Sequence, residues 1–138
     1  MSSSGIAEAE SGLLERTRAL VPLLRENAQR SEEARRVVDE NIEALSAAGV
    51  FRMTVARRFG GYESSLQTQY VVLAAIASGC PSTGWVATIL TAMLWNAGMF
   101  PDEAQDEVFA DPRVRVASVF AVGGEGRPVD GRVIVSGR

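Results

Sequence analysis

The chain has no histidine and no lysine, so all 14 of its basic residues are arginine. Without histidine it cannot build a Ser-His-Asp triad, a Cys-His pair or a histidine-based zinc site by itself. Without lysine it has neither a Schiff-base lysine nor a P-loop lysine. The single cysteine, Cys80, cannot form an internal disulfide. The N-terminal Met1-Ser2-Ser3-Ser4-Gly5 lacks both the basic and the apolar region of a secretory signal. A reducing, cytoplasmic location is therefore expected. The net charge of −3 gives no reason to expect a nucleic-acid partner. Any chemistry must draw on a cofactor, a carboxylate, a partner chain or residues outside this chain.

Charge is also missing from one long segment. Tyr70 to Phe100 contains no Asp, Glu, Lys or Arg. A membrane-spanning helix needs about 20 consecutive apolar residues. Here Ser78-Gly79-Cys80-Pro81-Ser82-Thr83-Gly84 interrupts the run, and Thr88, Thr91 and Asn96 dilute its second arm. Two helices packed inside a protein, with no membrane contact, fit this pattern better.

The length of 138 residues, with 46% hydrophobic and 22% charged residues, fits one ordinary domain. Residues 1–7 read as a polar tail. Leu13, Thr17, Leu20, Val21 and Leu24 have helical spacing over about 8–29, with Pro22 expected to kink or split that helix. Ser31 is expected to cap a second helix whose stripe is Ala34, Val37, Val38, Ile42, Leu45 and Ala48, ended by Gly49. Arg57 to Tyr62 reads as a loop around a glycine pair. Central helices follow over about 63–79 and 82–98, the latter capped by Ser82 or Thr83, and a short helix over about 101–109. Val114 to Ala121 reads as a strand, Gly123 to Gly126 as a turn, and Asp130-Gly131 as a hairpin before Val133-Ile134-Val135. The expected fold is mainly α: a helical domain over 8–112, then the first strands of an incomplete β domain over 113–138.

Four segments resemble the acyl-CoA dehydrogenase superfamily. They are Leu45-Ser46-Ala47-Ala48-Gly49-Val50-Phe51, Arg58-Phe59-Gly60-Gly61, Cys80-Pro81-Ser82-Thr83-Gly84-Trp85-Val86, and Phe100 to Val108. The third is similar to the segment that marks the family's monooxygenase branch, the two-component hydroxylases that use reduced flavin. That resemblance covers about a third of a typical member, and it implies a truncated N-terminal part. It also implies a reduced flavin (FMN or FAD) supplied by a flavin reductase, a small aromatic or related organic substrate, and a homo-oligomer, usually a tetramer. In such enzymes the flavin carries the oxygen chemistry, while the protein orients the substrate and excludes water.

By the same resemblance, Trp85 and Asn96 would line the substrate pocket. Ser118, Phe120, Val122 and Gly123 would lie along the flavin. Plain structural roles compete at each position: a core tryptophan, a helix-end asparagine, a strand serine, a hairpin glycine. Many members of the branch carry a histidine near Trp95-Asn96, and this chain has none, so Asn96 can bond a substrate but cannot serve as a base near neutral pH. Cys80 reads as a structural thiol. No catalytic residue and no metal site is assigned. Two other readings stay open: a flavin dehydrogenase acting on an acyl-CoA thioester, and a non-catalytic fragment or half of a split enzyme.

Overall fold

In a computed structural model, residues 10–118, 121 and 123–137 are described. The chain is mainly α. Helices α1 (Leu13–Glu26), α2 (Ala28–Glu33), α3 (Asp39–Ala48), α4 (Leu66–Gly79), α5 (Pro81–Ala97) and α6 (Asp102–Val108) precede a hairpin of β1 (Gly124–Val129) and β2 (Arg132–Gly137). Short 3-10 turns at Val50–Arg52 and Arg57–Phe59 link α3 to α4. Among the described residues no helix is long and apolar enough to cross a membrane.

The core forms where α1, α3 and the first 3-10 turn meet α4 and α5. Leu13, Leu24, Leu45, Val50, Met53, Val72, Ile76 and Leu94 are all sealed from solvent there. This packing explains why Pro22 does not split α1, one of the two outcomes expected of it. An interior proline costs about 3 kcal/mol. Burying a leucine side chain returns about 1.5–3 kcal/mol, and Leu13 and Leu24 flank the proline on the buried face. The break comes later, at Asn27.

The second helix does not start at Ser31. Ser31 lies inside α2, buried, and its hydroxyl donates to the Asn27 carbonyl at 3.0 Å and accepts from the Val38 amide at 3.3 Å. Arg35, at φ 51°, turns the chain, and α3 begins at Asp39. Ser31 thus ties down the connection between α2 and α3 and caps neither. Gly49 does end α3, at φ 89° in the left-handed region that glycine tolerates.

A buried polar chain locks these pieces to α5. Asn27 Nδ2 donates to Asn41 Oδ1 at 2.9 Å, and Asn41 Nδ2 donates to Thr83 Oγ1 at 3.1 Å. Arg30 and Glu40 close its outer end through Asn27. Neither Ser82 nor Thr83 caps α5. Cys80 occupies the cap position with Pro81 in the first turn, and the Thr83 hydroxyl is committed to Asn41. Pro81, at the first helical position, has no N–H of its own to leave unsatisfied.

Two expectations fail after α6. Val114 to Ser118 carry no regular structure, and among the described residues no strand pairs with them. Val119, Phe120 and Val122 lie outside the described residues. Gly124–Gly126 belong to β1 and form no turn. The tight turn at Asp130-Gly131, with φ 46° and 75°, fixes a register that pairs Val129 with Arg132 and Gly124 with Gly137. That ladder draws the glycines into the strand.

Asn41→Ala should lower unfolding free energy by about 2–3 kcal/mol, because it takes from the buried Thr83 hydroxyl its Asn41 donor and from Asn27 one of its bonds. Urea denaturation checks this. Arg36→Ala breaks only an exposed pair with Asp39 and should leave the midpoint unchanged.

Candidate functional site

Helices α4 and α5 run antiparallel from a shared corner at Gly79–Pro81. At that corner they nearly touch: a Cβ added to Gly84 would sit 2.8 Å from Ala77 Cα and Cβ. Away from it they splay into an open groove of about 460 Å³. Its α4 wall is Leu66, Gln69, Tyr70 and Leu73; its α5 wall is Thr88, Thr91, Ala92 and Trp95; Thr54 closes one side. Tyr70 and Trp95 are largely exposed, at 69% and 57%.

The groove's polar groups are mostly spoken for. Thr88 donates to the Gly84 carbonyl at 2.8 Å, Thr91 to the Ala87 carbonyl, and Thr54 to the Thr91 carbonyl at 2.9 Å. Their hydroxyl protons point into backbone, so toward a ligand these threonines act as acceptors. Gln69 Nε2 donates to the Ser64 carbonyl at 2.9 Å, which leaves Oε1 as a further acceptor. None of the groove's lining residues carries a carboxylate, guanidinium or thiol. Such a groove can hold and orient a flat apolar molecule, and it has no group suited to move a proton near neutral pH.

The expected site residues are spread over the molecule. Trp85 is 68% exposed and lines a different hollow, with Arg35, Val37 and Pro81. Asn96 is exposed on the far end of α5. Eleven residues separate the two, about 16 Å along a helix, so the structure does not bring them together. Ser118 and Gly123 are exposed, while Phe120 and Val122 lie outside the described residues. Among the described residues no cluster of acidic, histidine or cysteine side chains could hold a metal ion. Cys80 is buried.

A flavin would need backbone donors and acceptors for its ring edge. Arg115 to Ser118 fit that need, since among the described residues no backbone hydrogen bond involves them. Val114 and Val116 meanwhile pack against the core and hold the segment to the helical domain.

This helical module, with its paired apolar helices and its exit into a β-hairpin, defines a class that sequence comparison then identifies. Residues 10–113 match the acyl-CoA dehydrogenase N-terminal domain, and the chain belongs to that family. It is 39% identical over 125 residues to the oxygenase subunit HsaA of a flavin-dependent monooxygenase from Rhodococcus jostii, a match covering 90% of this chain and 33% of that protein. It is 32% identical over 126 residues to the oxygenase component of p-hydroxyphenylacetate 3-hydroxylase from Acinetobacter baumannii, covering 91% of this chain and 30% of that protein. The crystal structure of 3-HSA hydroxylase from Rhodococcus sp. RHA1 superposes with a TM-score of 0.87 at 39% identity, over 91% of this chain and 33% of that one. XiaF from Streptomyces sp., in complex with FADH2 and glycerol, gives 0.85 at 31% identity, over 97% of this chain and 34% of that one. The chain therefore spans about a third of the length of the relatives it matches.

The groove residues other than Trp95 escaped the sequence reading, although a signal was present. Leu66, Gln69, Tyr70 and Leu73 recur at helical spacing, as do Thr88, Thr91, Ala92 and Trp95. Uncharged helices obscure such a stripe, because apolar residues on every face leave no polar face for contrast.

Trp85→Phe and Trp95→Phe each leave one tryptophan, and both should emit as solvent-exposed indoles quenched readily by acrylamide. Blue-shifted, protected emission from the Trp85→Phe variant would contradict the open groove.

Proposed function

We propose that this chain is the N-terminal part of a flavin-dependent monooxygenase that hydroxylates a small aromatic or related organic substrate. The observation that carries the reading is the apolar groove, free of any base, between α4 and α5. It occurs in a chain whose relatives are named as oxygenase subunits or components, among them a flavin-dependent monooxygenase and an FADH2-dependent hydroxylase. A site that leaves the difficult chemistry to a cofactor needs its protein to hold and orient the substrate, and the groove's apolar walls suit that task.

Reduced flavin, when bound, would supply the oxygen-activating chemistry. A relative named as an FADH2-dependent resorcinol hydroxylase and the FADH2 complex of XiaF both support FAD as the form used. The chain's own part is binding and orientation. Tyr70 and Trp95 clasp the aromatic body, and the threonine hydroxyls accept from a substrate O–H. Trp85 and Asn96 join the substrate pocket in this reading, each at its own end of α5. Ser118, Phe120, Val122 and Gly123 run along the flavin, with backbone groups at its edge. A flavin reductase delivers the reduced cofactor, and the full polypeptide assembles as a homo-oligomer, a tetramer, in the cytoplasm.

The test uses the longest polypeptide that carries this sequence, together with a flavin reductase, NADH and labelled dioxygen. Incorporation of one labelled oxygen into a phenolic substrate is expected, and Trp95→Ala should reduce turnover by at least about tenfold. Flavin reduction by an acyl-CoA thioester, with no labelled product, would overturn the reading.

A further inference from the structure

Tyr62 is 8% exposed, yet its hydroxyl has no hydrogen-bond partner among the described residues. Solvent still reaches it, because the only described side-chain atom both sealed and unpartnered is Ser64 Oγ. The Tyr62 oxygen opens into a hollow of about 300 Å³ at the end of α3, which shares no lining residue with the α4–α5 groove. Gly49 makes room for it, since a methyl group there would collide with the phenol oxygen. Tyr62 is also anchored through its backbone, where its amide donates to the Arg52 carbonyl at 2.9 Å. Largely buried phenols normally find a partner within the protein. Here the donor is held in place and faces open space.

The charges around the hollow select what can fill it. Arg52 and Arg113 line it, and no lining residue carries a carboxylate. The Arg52 guanidinium donates to two carbonyls, Pro112 at 2.9 Å and Phe59 at 3.0 Å, and no acidic side chain pairs with it among the described residues. Its charge is thus positioned without being neutralised. The Arg113 side chain is 85% exposed, and its ion-pair partner is Asp111, with Nε 3.7 Å from Oδ1. An exposed pair of that kind is worth little and yields readily to a competing anion. Glu43, on α3, is engaged by Arg115 at 3.4 Å. The C-terminus of α3 opposes an anion, since a helix end there carries about half a negative charge. Two whole positive charges outweigh it, and the Ser46 and Ala48 carbonyls are already taken by the Gly49 amide and Arg16 Nε.

We infer that this hollow is a binding site for a phosphate group, free or as the monoester of a small molecule. The Tyr62 hydroxyl donates to one phosphate oxygen, Arg52 supplies a fixed positive charge, and Arg113 pairs with the outer oxygens. Two guanidinium charges without a lining carboxylate match a dianion better than a carboxylate or a neutral group. The site stands apart from the α4–α5 groove and does not depend on the function proposed for that groove.

The test uses the 138-residue chain with three probes: inorganic phosphate, phenyl phosphate and benzyl alcohol. Amide NMR shifts give both the affinity and the place. Both phosphates should move the amides of Gly49, Tyr62 and Val114, and benzyl alcohol should not. Equal affinities for the two phosphates would assign the site to the free ion, and tighter binding of phenyl phosphate would assign it to a monoester. Tyr62→Phe should weaken phosphate binding about tenfold, as a hydrogen bond to a charged group allows, and leave the thermal midpoint unchanged. Arg113→Gln should weaken it several-fold, also without loss of stability. Phosphate binding that survives Tyr62→Phe would overturn the inference, because that variant keeps every charge and so leaves an adventitious ion only. Shifts confined to other amides would overturn it too, as would no binding of either phosphate at millimolar concentration. A lowered midpoint in Tyr62→Phe would overturn it by marking the hydroxyl as structural.

Discussion

The close approach of α5 to α4 at their shared corner sets the geometry of everything else. Gly84 lies so near Ala77 that a methyl group would collide with backbone, and Gly79 stands almost as close to Leu24 and Val21 on α1. The helices meet at this corner, and the groove opens between them farther along, past Leu73 and Thr88. The groove is a consequence of that corner, and so is the exposure of Tyr70 and Trp95. The chain Asn27–Asn41–Thr83 reinforces the same point, because it ties the first turn of α5 to α3 and to the end of α1.

The corner also explains an otherwise odd distribution of polarity. An uncharged helix pair would normally be buried on all sides, yet Leu66, Tyr70, Val71, Trp85 and Trp95 are substantially exposed. The hairpin repeats the pattern with Val133, Ile134 and Val135. Apolar area of this extent is costly unless it serves binding or packing. In the groove, the threonines and Gln69 offer acceptors, Tyr70 and Trp95 offer donors, and no lining residue is charged, a composition suited to recognition of a neutral organic molecule.

Much of this was legible from the residues. The lack of charge between Tyr70 and Phe100 located the central helix pair, Gly49 marked the end of α3, and Asp130-Gly131 fixed the hairpin turn. The misreadings share a cause, which is that local signals lost to tertiary ones. Pro22 reads as a breaker until the burial of Leu13 and Leu24 is weighed against it. Ser31 reads as a cap until its hydroxyl finds Asn27 and Val38. Val114 to Ser118 have strand chemistry and no strand to pair with. For the site, a family motif pointed to Trp85, and the groove on α5 is lined further along by Thr88, Thr91, Ala92 and Trp95.

The corner's control of the groove is tested most directly by Gly84→Ala. The measurement pairs its unfolding free energy with the affinity of naphthalene read from Trp95. A methyl group pressed against Ala77 should cost about 1–3 kcal/mol and spread the helices, so that naphthalene binds several-fold more weakly while the chain stays folded. Unchanged stability together with unchanged naphthalene affinity would contradict the account.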